Sequence, residues 1–150
     1  MKRTISFILI MLIFVSMFAS AYAAGPSGKS PTFEGRFIPR VMVSYFRVCN
    51  AEGKLVKYLS VNDITCKGVE SIDKYLSIRN LLYVFEFSST YELKEGEYIE
   101  FPIQFRTERD LFAYVDKTNT ELEIENIIED NWILKITEYG IIIITVGDEK

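Results

Sequence analysis

The chain has 150 residues, 49% hydrophobic and 14% aromatic, with 17 basic against 21 acidic side chains and no histidine. That is the size and composition of one core-forming domain, not of a disordered or low-complexity chain. The missing imidazole removes Ser–His–Asp and Cys–His catalysis, His-ligated metals and a histidine pH switch.

The first 23 residues read as an export signal. Lys2 and Arg3 precede an apolar run from Ile5 to Phe18, whose only polar members are Ser6 and Ser16. Small residues follow, including the A-x-A site Ala21-Tyr22-Ala23. Basic residues stay on the cytoplasmic side, the apolar run enters the bilayer, and small side chains fit the peptidase. A run of ~14 residues is too short for the ~20 that span a hydrocarbon core. The expectation is a signal peptide over residues 1–23, cleaved after Ala23, and a protein released to the periplasm or the extracellular space. Residues 24–32 (AGPSGKSPT) read as a flexible leader and 33–150 as a single domain. The signal takes Lys2 and Arg3 with it, leaving 15 basic against 21 acidic side chains, a net −6. An acidic chain is a poor match for nucleic acid or anionic lipid, both polyanions. With no second long apolar run, no membrane span is expected after cleavage.

Cys49 and Cys66 are the only cysteines. In an oxidising compartment they are expected to form a disulfide, closing a loop at a gain of about 3 kcal/mol. They lack C-x-x-C spacing and any histidine, so a redox or metal role is not expected.

In chain order, residues 41–48 (VMVSYFRV) predict a strand, 50–54 (NAEGK) a hairpin turn and 55–61 its return strand. Residues 69–82 leave two readings open. Val69, Ile72, Tyr75/Leu76 and Arg79 recur at helical spacing behind Ser71, a short helix, but a loop running into a strand fits as well. Residues 81–87 (LLYVFEF) predict a central strand covered on both faces. Residues 93–97 (LKEGE) form a turn. In 98–106, Ile99, Phe101, Ile103 and Phe105 alternate with Tyr98, Glu100, Gln104 and Arg106, the mark of a half-buried strand. Pro102 within it predicts an edge strand or a bulge. Residues 111–115, 121–127 and 132–137 are further strands. Residues 141–146 (IIIITV) must be buried on both faces, because such a segment left exposed aggregates.

Seven or eight short strands predict an all-β fold, an antiparallel β-sandwich or small barrel, with at most one short helix. The turn at 93–97 and the strand through Phe101-Pro102-Ile103-Gln104-Phe105 resemble a corner often seen in immunoglobulin-like domains of exported bacterial proteins. The resemblance covers about a dozen residues and implies an immunoglobulin-like sandwich. The Cys…Trp…Cys arrangement of immunoglobulins is absent, since Trp132 follows both cysteines.

Function is approached by elimination. Glu121, Glu123 and Glu125 fall on one strand face, roughly 7 Å from one to the next. They read as a docking face for a basic partner, a weak Ca²⁺ site, or a solvated face whose charges prevent edge pairing. Tyr45, Tyr58, Tyr91, Tyr98 and Tyr139 sit at outer faces or turns and are candidates for a contact surface. Glu121, Glu123, Glu125, Tyr98 and Tyr139 form the candidate partner-binding set. Ser88-Ser89-Thr90 reads as a polar turn, and Arg36, Arg40 and Arg47 as scattered basic charge. No catalytic residue, cofactor-binding residue or metal ligand is expected. The reading is an exported binding module for another envelope or extracellular protein. A carbohydrate-binding module with exposed aromatics on one sheet face comes second, and a small carboxylate hydrolase third.

Overall fold

The computed structural model describes Phe33 and residues 35–149, so the expected signal peptide (1–23) and leader (24–32) lie outside the described residues. Ten strands follow in order: β1 (Tyr45–Cys49), β2 (Leu55–Ser60), β3 (Ile64–Lys67), β4 (Leu81–Ser89), β5 (Tyr98–Gln104), β6 (Leu111–Val115), β7 (Glu121–Leu122), β8 (Ile124–Ile128), β9 (Asn131–Ile136) and β10 (Gly140–Val146). They form two five-stranded sheets, β2-β1-β5-β9-β8 in front and β3-β4-β10-β6-β7 behind. All pairings are antiparallel. The sheets pack face to face as a sandwich and do not close into a barrel, so the barrel alternative is set aside.

Period-two alternation decides what lies between the sheets. Phe46 and Val48 of β1, Ile99, Phe101 and Ile103 of β5, and Leu134 and Ile136 of β9 face Phe85 and Phe87 of β4 and Ile142 and Ile144 of β10. Phe101 is the hub. Its ring lies 5.7 Å from Phe46 and 5.8 Å from Phe85, both stacked, and 5.5 Å from Phe87 edge-on. Such aromatic pairs add to the stability that burial provides.

The isoleucine run is covered on both faces, as its composition requires. Ile142 and Ile144 point into the main core, while Ile143, with Val84 of β4, points to the outer face of the back sheet. There the connection between β3 and β4 folds across it. Tyr75 is buried on Val84 and Ile143, with Val69, Ile72 and Ile78 packed around it. The Tyr75 hydroxyl donates to Asp116 at 2.9 Å and fastens this strap. The apolar spacing in 69–82 therefore marks a strap face. Its only helical turn is a 3-10 turn, Asp73–Tyr75.

Other differences from the sequence reading have local causes. β5 is an interior strand despite Pro102. Phe105 N–H donates to Asp130 O, so the odd-numbered residues of β5 turn their backbone groups to β9 and Pro102 turns its own toward β1. Pairing with β1 has already ended at Arg47 and Glu100, so no ladder bond is lost there. β3 had not been foreseen; four residues, ITCK, are too short to display a period. The stretch expected as one strand over 121–127 changes sheets after Leu122, β7 pairing in the back sheet and β8 in the front.

The disulfide expectation is corrected. Cys49 and Cys66 are both free and buried. Cys66 faces the core from β3 in the back sheet. Cys49 follows the inward Val48 and points to the other side of the front sheet, where its thiol donates to Glu100 Oε1 at 3.6 Å. Separation along the chain had suggested a loop closure, but the two thiols lie on different sheets and face different ways.

The sheet edges are blunted. β7 has two residues and β3 four. The longer edges carry register shifts, at Val48/Cys49 in the β1–β2 pair and at Asn126/Ile128 in the β8–β9 pair. Short or bulged edges resist strand addition. Among the described residues no helix is long and apolar enough to cross a membrane.

Candidate functional site

The centre of the back sheet's outer face lies beneath the strap; the front sheet's carries a polar surface. Its middle row is set by strand register. Tyr58 on β2 pairs with Arg47 on β1, Arg47 with Glu100 on β5, and Glu100 with Lys135 on β9. Beyond Lys135, whose N–H donates to Glu123 O at 2.8 Å, stands Glu123. The charges alternate and pair: Arg47 meets Glu100 at 3.4 Å and Lys135 meets Glu123 at 2.8 Å. Lys135 Nζ also lies 5.3 Å from the centre of the Tyr98 ring. The hydrogen bond from Lys135 to Glu123 holds the ammonium's pKa above its usual value, and the charges of Glu123 and Glu125 act in the same direction.

At one end of this face an open groove of about 530 Å³ is lined by Ala51, Glu52, Gly53, Gly96, Tyr98, Glu121, Glu123, Lys135 and Thr137. Two turns build one lip. In the β1–β2 turn, the Asn50 side chain accepts from the N–H groups of Glu52 and Lys54, and Gly53 takes φ +78°. In the β4–β5 turn, Gly96 takes φ +81°, and a Cβ there would stand 3.2 Å from the Ala51 Cβ. Glycine thus serves both the backbone conformation and the close approach of the two turns. The second turn is clamped by Glu97, whose carboxylate accepts from Tyr91 Oη at 2.8 Å and from Lys94 N–H at 3.1 Å. The Lys94 N–H bond holds the Glu97 carboxyl below its usual pKa. This is the corner noted in the sequence, and the chain crosses there from the back sheet to the front.

Under the face lies Cys49. Burial raises its pKa, and the neighbouring Glu100 charge raises it further. Burial and the Cys49 thiol likewise raise the pKa of Tyr98. Cys66, in the core, is pushed up by burial to about 12. Both thiols are thus kept protonated, the unreactive form.

Of the candidate set, Glu121, Glu123 and Tyr98 meet at the groove. Glu125 stands next along β8, exposed. Tyr139 does not join them. It is half-buried, its ring 6.0 Å from Phe87, and its hydroxyl donates to Tyr91 O, which makes it part of the corner's structure. Among the described residues no group of three or more acids and cysteines is placed to hold a metal ion. The sequence reading left out Lys135, Glu100 and Glu52. Glu100 had been placed on the polar face of its strand and Lys135 lies within the strand expected over 132–137, but strand order alone, which a single chain does not display, makes them neighbours.

Tyr45 and Tyr58 complete the face at its β2 side, 66% and 58% exposed. Tyr45 pairs with Ser60 and Tyr58 with Arg47, so the two rings are diagonal neighbours across β1 and β2. No family model, curated protein or solved structure matches this chain.

Proposed function

We propose that the chain is an exported binding module that holds another protein of the envelope or extracellular space against the outer face of its front sheet. The observation that carries this reading is the contrast between the sandwich's two outer faces. One is apolar, and the chain's own strap covers its centre at Val84 and Ile143, leaving Phe112 of β6 exposed beside it. The other is open, and offers two exposed tyrosines and an arginine beside a groove. Tyrosine and arginine are over-represented among residues that dominate protein interfaces. Glu52 and Glu121, at the groove, have no ion-pair partner among the described residues, and they add negative charge that suits a basic region of a partner. Export rests on the basic, apolar and small-residue segments at the start of the sequence.

The test is capture from the native envelope or medium with the exported chain as bait, in parallel with Glu100→Lys and Tyr58→Ala variants. A partner retained by the wild type and lost by both variants is the expected result; retention by both contradicts the reading. Sequencing the N-terminus of the exported protein should return Ala24, and an intact Met1 in the cytosol would contradict export.

A second reading is favoured by one observation. Tyr45 and Tyr58 lie side by side on one sheet face, an arrangement on which a sugar can stack. Heat released on titrating a glycan panel, and lost in Tyr45→Ala, would favour carbohydrate over protein as the ligand.

A further inference from the structure

We infer that the front face pairs with the same face of a second copy, about a two-fold axis that runs parallel to the strands between β5 and β9. This rests on the reading that the open face binds protein, and names that protein.

The argument starts from signs. Across the strands the central row reads Arg47, Glu100, Lys135, Glu123: plus, minus, plus, minus. A two-fold axis parallel to the strands reverses the row. Arg47 then lies over Glu123 of the second copy, and Glu100 over its Lys135. The other two contacts follow by symmetry, and every charge meets its opposite. An axis along the row would instead set each charge over itself, so the signs select one of the two in-plane axes. Two-fold interfaces are isologous, and a patch enters one only if it complements itself in this way.

The neighbouring row agrees. Pro102 and Ile133 face each other in register on β5 and β9. The same axis places Pro102 of one copy over Ile133 of the other, apolar on apolar, beside the charged row. The blunted edges leave the face, not strand addition, as the route to association. Glu100 and Lys135 are each already paired within the chain, so neither carries an unpaired charge into the contact.

Sedimentation of the exported chain should give twice the monomer mass at low salt and the monomer at 1 M salt, where charges are screened beyond about 3 Å. Glu100→Lys sets Lys over Lys135 of the second copy, and Lys135→Glu sets Glu over Glu100. Each variant alone should dimerise about tenfold or more weakly. Mixed in equal amounts, the two variants restore opposite charges at every position of the row and should form a heterodimer. Thermal melts of each variant establish that both are folded. A wild type that is monomeric at its highest soluble concentration overturns the inference, as does a folded pair of variants that stays monomeric when mixed. A monomeric wild type whose capture of an envelope protein is lost in Glu100→Lys overturns the self-association and leaves the protein-binding reading standing. A monomeric wild type whose capture survives that substitution overturns both.

Discussion

The two outer faces of the sandwich were built from similar material and finished differently. Each sheet has five strands, and each carries alternating residues outward. On the back sheet the outward residues include Val84 and Ile143, and the chain spends the connection between β3 and β4 covering them. On the front sheet they are Arg47, Glu100 and Lys135, and nothing of the described chain lies over them. The apolar centre of the back face is hidden by the molecule itself; the front face is left open, with a row of alternating charges. On the proposed reading, recognition belongs to the front and stability to the back.

The sharpest way to break that division is to cut the strap's anchor. Tyr75→Ala removes a buried ring and its bond to Asp116. It should cost about 3–5 kcal/mol in urea unfolding, in line with large-to-small changes at buried aromatic sites. Tyr58→Ala, on the open face, should change stability by no more than about 0.5 kcal/mol. Equal effects at the two sites would erase the contrast.

The thiols sharpen it next. The raised pKa of Cys66 means that the folded chain holds its proton more tightly than the unfolded chain does. Stability is therefore full below the ordinary thiol range, near ~8.5, and falls as pH rises from there toward about 12. A pH series of unfolding midpoints checks this. Under native conditions an alkylating reagent should leave both thiols unmodified, and a mild oxidant should not join them. Recovery of a Cys49–Cys66 disulfide from the folded protein would contradict their placement on different sheets.

The Glu97 clamp has the opposite sign. Its carboxyl is held below the usual value, so the stability it adds is present above the ordinary glutamate range, near ~4.3, and is lost as pH falls through the lower folded value. Glu97→Gln should flatten that part of the acid limb and loosen the groove's lip, seen as faster amide exchange at Gly96. A modest effect on folding is expected at the charge row. Glu100→Lys, at a half-buried ion pair with Arg47, should cost about 1 kcal/mol, while its effect on association is the largest.

Much of this architecture was legible in the sequence wherever alternation ran for six residues or more. The strands at 98–106 and 132–137 were readable because one face must be apolar for burial, and 141–146 because an unbroken β-branched run needs cover on both faces. β3 was too short for that signal, and Pro102 misled because the direction of its missing N–H depends on which neighbour has stopped pairing. The strap spoke in helical spacing because its apolar residues need to touch the sheet only every third or fourth position. Glu121, Glu123 and Tyr98 were visible as outward residues, but their meeting at one groove depends on β7 ending where the chain changes sheets. Tyr139 looked equally outward at a turn, yet its hydroxyl is used by Tyr91 O at the corner. The cysteines show the limit most clearly, since spacing reports loop length and says nothing of facing.

The central claim is that recognition uses the front face. Side-chain footprinting of the chain, at association-competent concentration and again after dilution to the dissociated form, tests it most directly. The account predicts protection of Tyr45, Tyr58 and Lys135 on association, with no change at Lys74 and Tyr75 on the strap. Protection confined to the strap, with the front face equally labelled in both forms, would contradict it.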